Sequence, residues 1–145
     1  MKDVVIRSLS KENPERILAL WRSARLPHRP KGRDLPTALR EEMRSNPDLA
    51  IGAYIDSELV GTVLGTDDGR KGWINRLAVD PDYRGRGIGT RLLQEAESAL
   101  QRRGRRIIAA LVEDWNEDSL VFFQSNGYRL HEDIHYMSKR ESEDV

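Results

Sequence analysis

Between Arg84 and Thr90 the chain reads RGRGIGT, three glycines interleaved with two arginines, and then enters an amphipathic run up to Arg103. At a glycine-rich turn into a helix, backbone N–H groups converge and the helix dipole adds partial positive charge. Absent Cβ atoms let an anion come close. Arg84 and Arg86 add planar donors that match phosphate oxygens. The chemistry suited to Arg84, Gly85, Arg86, Gly87, Ile88, Gly89 and Thr90 is therefore the holding of a pyrophosphate. The other reading is a flexible loop whose glycines cap a helix and whose arginines are solvated. A second set follows downstream: Glu113, Asn116, Ser119, Phe122, Phe123, Gly127 and Tyr128.

Two common nucleotide loops fail to match. A Walker loop ends in Gly-Lys-Ser/Thr, and Gly89-Thr90 lacks the lysine. A dinucleotide fingerprint has Gly-x-Gly-x-x-Gly directly after a strand. Here the third glycine falls one residue early, and Asp80 to Arg84 intervene. Glu113 would imitate the ribose-binding acid, so an oxidoreductase binding a nicotinamide dinucleotide stays as a distant alternative.

The elements that must position these residues follow from hydrophobic period and turn signals. DVVIRSL reads as a first strand. A helix starts at Pro14 and places Ile17, Leu18, Trp21 and Ala24 on one face. After the turn-rich RLPHRPKGRDLP, Asp34 is placed to cap a second helix through TALREEMRS, which NPD ends. LAIGAYI and LVGTVLG form a hairpin about DSE, and TDDGRKG leads into WINRLAV. The helix after the glycines carries Ile88, Leu92, Leu93, Ala96, Ala99 and Leu100 as one stripe, and Gly104 stops it. RIIAALV reads as a buried strand and NEDSLVFFQSN as a short helix ended by Gly127. YRLHEDIHYMSKR reads as one bent strand or a strand pair. The order β-α-α-β-β-β-α-β-α-β, with room for one more strand, predicts an α/β fold: one mixed sheet flanked by helices. Residues 1–140 read as a single domain and 141–145 as a frayed acidic tail.

Composition narrows the function. The 145 residues are 33% charged, above the roughly 25% of ordinary domains, yet formal net charge is zero. A global pull toward nucleic acid or anionic membrane is therefore absent. No cysteine is present, which excludes disulfides, thiolate metal sites and cysteine nucleophiles. His28, His131 and His135 have no metal-ligand spacing with carboxylates, so no metal is expected. No apolar run suits a signal peptide or a membrane span, which points to a cytoplasmic protein.

One pattern accounts for both residue sets. Leu77-Ala78-Val79-Asp80-Pro81 followed by Arg84, Gly87 and Gly89 resembles the acetyl-CoA signature of the GNAT superfamily of N-acetyltransferases. Asn116, Ser119, Phe122, Phe123, Gly127 and Tyr128 keep the spacing of that family's second block. The stretch GTDDGRKGWINRLAV further resembles small stand-alone members of the ribosomal-protein alanine acetyltransferase type. The resemblance spans nearly the whole chain and implies acetyl-CoA as co-substrate and a primary amine as acceptor. It implies that backbone groups of Leu77, Ala78 and Val79 pair with the pantetheine arm and that Arg84 to Thr90 cradle the pyrophosphate. Asn116 would bond the cofactor chain, and Phe123 would pack beside the thioester.

The resemblance also exposes a departure. The family's usual acid is a tyrosine where this chain has Phe123, and a glutamate of some members falls on Leu111. General acid catalysis contributes about 10² to 10⁴ in rate. A thiol titrating near ~8.5 can leave without it. Ser119 is a candidate relay through water, with Tyr83, Tyr128 and Tyr136 as other substitutes, and Glu113 is the candidate base. A non-catalytic acetyl-CoA sensor stays open on the strength of Phe123. Asp67, Asp68, Glu113, Asp114, Glu117 and Asp118 favour a cationic acceptor, whether a peptide N-terminus, a lysine or a small amine. Monomer and homodimer are both compatible, the latter through Ile134 and Tyr136.

Overall fold

A computed structural model describes residues 3–145. Five strands form one sheet in sequence order: β1 (Val5–Ser8), β2 (Ala50–Ile55), β3 (Glu58–Asp67), β4 (Gly72–Val79) and β5 (Ile108–Ala110). Neighbours are antiparallel up to β4, and β5 joins β4 in parallel. Asp56 and Ser57 both have positive φ, 50° and 65°, as the two-residue turn of a twisted hairpin requires.

All of β2 and residues 59–65 of β3 are buried, so this part of the sheet needs cover on both faces. Helix α3 (Ile88–Arg102) covers one face. Its predicted stripe, Ile88 to Leu100, is buried against Ile51, Ala53, Ile55, Val63 and Ile74. Gly72 lets it approach: a Cβ there would lie 2.7 Å from Leu100 Cδ1. Helices α1 (Pro14–Ser23) and α2 (Pro36–Ser45) cover the other face with Ile17, Leu18, Trp21, Leu39 and Met43. The β2–β3 ladder slips by one residue at Val60, pairing Ala53 with Gly61 but Tyr54 with Leu59. That slip is why Leu59 and Leu64, an odd and an even position, share one layer.

Three expectations are corrected. Asp34 caps nothing: α2 starts after Leu35 without a side-chain cap, and Asp34 is buried with an arginine of β4. The fifth strand has three residues rather than seven, and Ile107 and Leu111 at its two ends are exposed. After α4 (Glu117–Ser125) the described chain holds no strand, although YRLHEDIHYMSKR has strand-forming side chains. A strand persists by pairing, and this stretch has no ladder, leaving Ile134, Tyr136 and Met137 largely exposed. The acidic tail ends with the Asp144 carbonyl packed on Gly32.

Candidate cofactor cleft and acetyl-transfer site

The glycine loop is held open by backbone conformation. Gly85 and Gly87 have φ of 78° and 79°, and apart from adjacent backbone no atom lies within 4 Å of where their Cβ atoms would be. The dihedral calls for glycine here, and the space beside it stays open. Gly87 is the N-cap of the fifteen-residue α3 and supplies no side-chain hydrogen bond. The first N–H groups of α3 are therefore left to an outside acceptor, at the positive end of the helix dipole. Ile88 is buried beneath them as an anchor. Arg84 leans away from the loop, donating from Nη2 to the Ala24 carbonyl at 3.4 Å, and Arg86 lies over the Tyr83 ring, 5.1 Å from its centroid.

Beside this loop the sheet splits. Strands β4 and β5 pair only from Gly72 to Ile74 and from Ile108 to Ala110. Residues 75–79 of β4 keep an edge without a β5 partner, so their main-chain groups on that side are available to an extended ligand. Leu77 and Val79 pack half-buried against the α3 core together with Phe122, Phe123 and Tyr128. Phe122 reaches within 3.4 Å of an ideal Cβ on Gly89, with Val79 at 3.8 Å. The edge of β4, the start of α3 and the aromatic face of α4 thus meet at one cleft.

The second residue set is placed more unevenly. Asn116 caps α4, its Oδ1 accepting from the Ser119 N–H at 3.2 Å, which leaves its amide NH2 to donate elsewhere. Phe123 is wedged edge-on between Phe122 and Tyr128, at centroid distances of 5.4 and 5.1 Å. Glu113 lies in the loop beyond β5, not on the strand, and its side chain is exposed. The substitute tyrosines are constrained as well. Tyr128 donates to Glu97 Oε2 at 2.8 Å, and burial, then Glu97, pushes its hydroxyl well above the usual tyrosine range. Tyr83 sits under Arg86, and Tyr136 is 66% exposed on the C-terminal stretch.

Two of the acids expected to draw a cationic acceptor are engaged elsewhere. Asp68 Oδ1 accepts from the N–H groups of Arg70 and Lys71, and Oδ2 accepts from Trp73 Nε1. These bonds, that to Lys71 foremost, hold its carboxyl down at about 2. Asp67 pairs with Arg105 at 3.3 Å and with Arg103 at 3.7 Å. Both stabilise the β3–β4 turn. The exposed acids Glu113, Asp114, Glu117 and Asp118 remain around the start of α4.

The sequence did not single out a buried polar chain on the opposite side of β4. Trp21 Nε1 donates to Thr62 Oγ1 at 2.9 Å, and Thr62 donates to the Arg76 carbonyl at 2.9 Å. The Arg76 guanidinium grips Asp34 with Nη2 at 2.7 Å and Nε at 3.3 Å, while the Arg29 N–H donates to the same carboxylate. Close by on α2, desolvation and then the Asp34 charge raise Glu42, against the pull of Arg76. The available signal was Thr62, a hydroxyl inside the otherwise apolar run of residues 59–65.

Comparison with known proteins agrees with this geometry. The model of the acetyltransferase (GNAT) family matches residues 15–128. An acetyltransferase, SG1711, of Sodalis glossinidius (strain morsitans) is 31% identical over 139 residues, 96% of each chain. The crystal structure of the PaiA N-acetyltransferase of Thermoplasma acidophilum, in complex with coenzyme A, superposes with a TM-score of 0.79 at 26% identity. It covers 89% of this chain and 91% of that one. An aminoglycoside N-acetyltransferase, AAC(6')-Iy, in complex with CoA shares the fold at TM-score 0.79 and 21% identity, covering 97% of both chains. The open glycine loop, the split sheet and these relatives agree: the chain belongs to the GNAT acetyltransferase family and is an acetyl-CoA-dependent N-acetyltransferase.

Proposed function

We propose that the protein transfers the acetyl group of acetyl-CoA to a primary amine carried by a cationic acceptor: a peptide N-terminus, a lysine or a small polyamine-like molecule. One observation carries the reading. The uncapped start of α3 and the unpaired edge of β4 open side by side onto one cleft. The backbone from Arg84 to Thr90 holds the pyrophosphate, where Gly85 and Gly87 leave room for it. Main-chain groups of Leu77, Ala78 and Val79 take the pantetheine arm as a strand takes a strand. Asn116 donates its free NH2 to the same arm, and Phe123 lines the thioester end.

The amine nitrogen attacks the thioester carbonyl carbon, and a backbone N–H of β4 stabilises the oxyanion. The tetrahedral intermediate collapses with C–S cleavage, and coenzyme A departs as a thiolate. Phe123 delivers no proton, and Tyr128 is committed to Glu97. With a thiol pKa near ~8.5 the thiolate leaves unprotonated, or gains its proton through water held by Ser119. The ammonium proton of the acceptor passes to Glu113 or to water. Exposed Asp114, Glu117 and Asp118 favour the cationic partner.

Residues 1–140 are read as the catalytic domain of a cytoplasmic monomer or homodimer; no helix among the described residues is long and apolar enough to cross a membrane. Calorimetric titration with acetyl-CoA, with NADH as control, followed by an amine screen for thiol release tests the function. Acetyl-CoA binding with release of CoA by a cationic amine supports it. Binding without release by any amine would instead favour a sensor, the reading Phe123 invites.

A further inference from the structure

Strand β4 contains a residue in the wrong conformation for its type. Between the pairs Thr62–Ala78 and Leu64–Asn75, β4 has one residue more than β3, so Arg76 and Leu77 bulge opposite Val63. Arg76 takes φ of +52° there. A bulge whose first residue is left-handed is normally built on glycine, because a Cβ destabilises that conformation. Something must hold Arg76 in place, and the surroundings identify it. The guanidinium is tied by two hydrogen bonds to Asp34, only 5% exposed, and lies 5.6 Å from the centre of the Trp21 ring. The Arg76 carbonyl is fixed by Thr62, which is fully buried and itself held by Trp21.

We propose that Asp34 and Arg76 are positioning residues for acetyl transfer: their clamp imposes on β4 the bulge that a glycine would adopt unaided, and the bulge aims the following peptide N–H groups into the cleft. The inference rests on the reading that a β4 N–H meets the thioester carbonyl. It also links that N–H to the loop between α1 and α2, since Asp34 accepts from the Arg29 N–H within the loop. Neither residue touches the acetyl group. They act through the backbone.

The test uses the carbonyl carbon of [1-13C]acetyl-CoA, whose resonance moves downfield when a donor polarises it. The wild-type protein is expected to shift that resonance on binding. Arg76→Ala and Asp34→Asn are expected to remove at least about half of the displacement, read on protein saturated with acetyl-CoA so that weaker binding of the pantetheine arm does not enter. Arg76→Gly is the decisive variant, because glycine keeps φ near +52° without a clamp. It should retain the full displacement. A full displacement in Arg76→Ala, or a loss in Arg76→Gly as large as in Arg76→Ala, would overturn the proposal. Acetyl-CoA bound by the wild type without any displacement would overturn it together with the β4 oxyanion reading. Failure of the wild type to bind acetyl-CoA at all would instead count against the proposed function.

Discussion

Helices α1 and α3 begin in opposite ways. Asn13 closes the start of α1, its side chain accepting from the Glu15 N–H at 3.0 Å, with Pro14 removing a further donor. Gly87 closes nothing at the start of α3, and the loop before it holds two glycines at positive φ around empty space. The start of α1 is closed by its own side chain, and that of α3 has no side-chain cap, as the proposed pyrophosphate site requires.

The most forceful way to break this contrast is Gly87→Glu. The variant places a Cβ at φ 79° and a carboxylate at the proposed pyrophosphate site. Acetyl-CoA affinity, read by calorimetry, is expected to fall by at least about 100-fold, equivalent to about 2.7 kcal/mol. Binding within tenfold of wild type would mean that the α3 start does not hold the cofactor. Gly85→Val is a gentler test of the same loop. Its φ of 78° strains any L-residue by roughly 1–2 kcal/mol. That strain is expected to appear as weaker binding and a lower Tm together, by calorimetry and thermal unfolding.

Asn13→Ala probes the other helix. Loss of its cap is expected to lower stability by about 1 kcal/mol in urea unfolding. Acetyl-CoA affinity should be unchanged, because Asn13 lies at the start of α1, and the glycine loop reaches only the opposite end of that helix, through Arg84 and the Ala24 carbonyl. A large loss of affinity in this variant would show the two helix starts to be coupled.

The two halves of the chain were unequally legible for related reasons. The α3 stripe was readable because six apolar residues repeat at helical spacing over fifteen positions, and all six are buried. The glycine loop was readable because the positive φ of Gly85 and Gly87 is the conformation glycine adopts most readily. The β4 bulge escaped notice because its left-handed residue is Arg76, held by Asp34 some 42 positions away in sequence. Asp34 itself looked like a cap because an aspartate just before a helix commonly is one. The short β5 and the unpaired 128–140 stretch were missed because alternating side chains indicate that a strand can form. They do not supply its partner. Sequence reported local rules well and partners separated by long stretches of chain poorly.

The smallest expected effect sharpens the comparison at the far end of the cleft, where a polar group is closed by the fold as thoroughly as the start of α1. Tyr128 donates to Glu97 at 2.8 Å, linking the chain after α4 to α3. Tyr54 is similarly bonded to Glu12, and burial first, then Glu12, pushes its hydroxyl up to about 12. Both hydroxyls stay protonated in the fold at pH values where an unfolded tyrosine, titrating near ~10, has ionised. A raised folded pKa gives stability that is fully present below pH ~10 and is lost as pH rises toward the folded value. Thermal stability is therefore expected to be flat through neutrality and to decline from about pH 10 to 12. Tyr128→Phe should lower stability at pH 7 by about 1 kcal/mol, the net worth of one hydrogen bond, and should make the alkaline decline shallower. An unchanged alkaline slope in Tyr128→Phe would mean that the hydroxyl ionises freely in the folded protein. It would then return to candidacy as the acid that Phe123 cannot be.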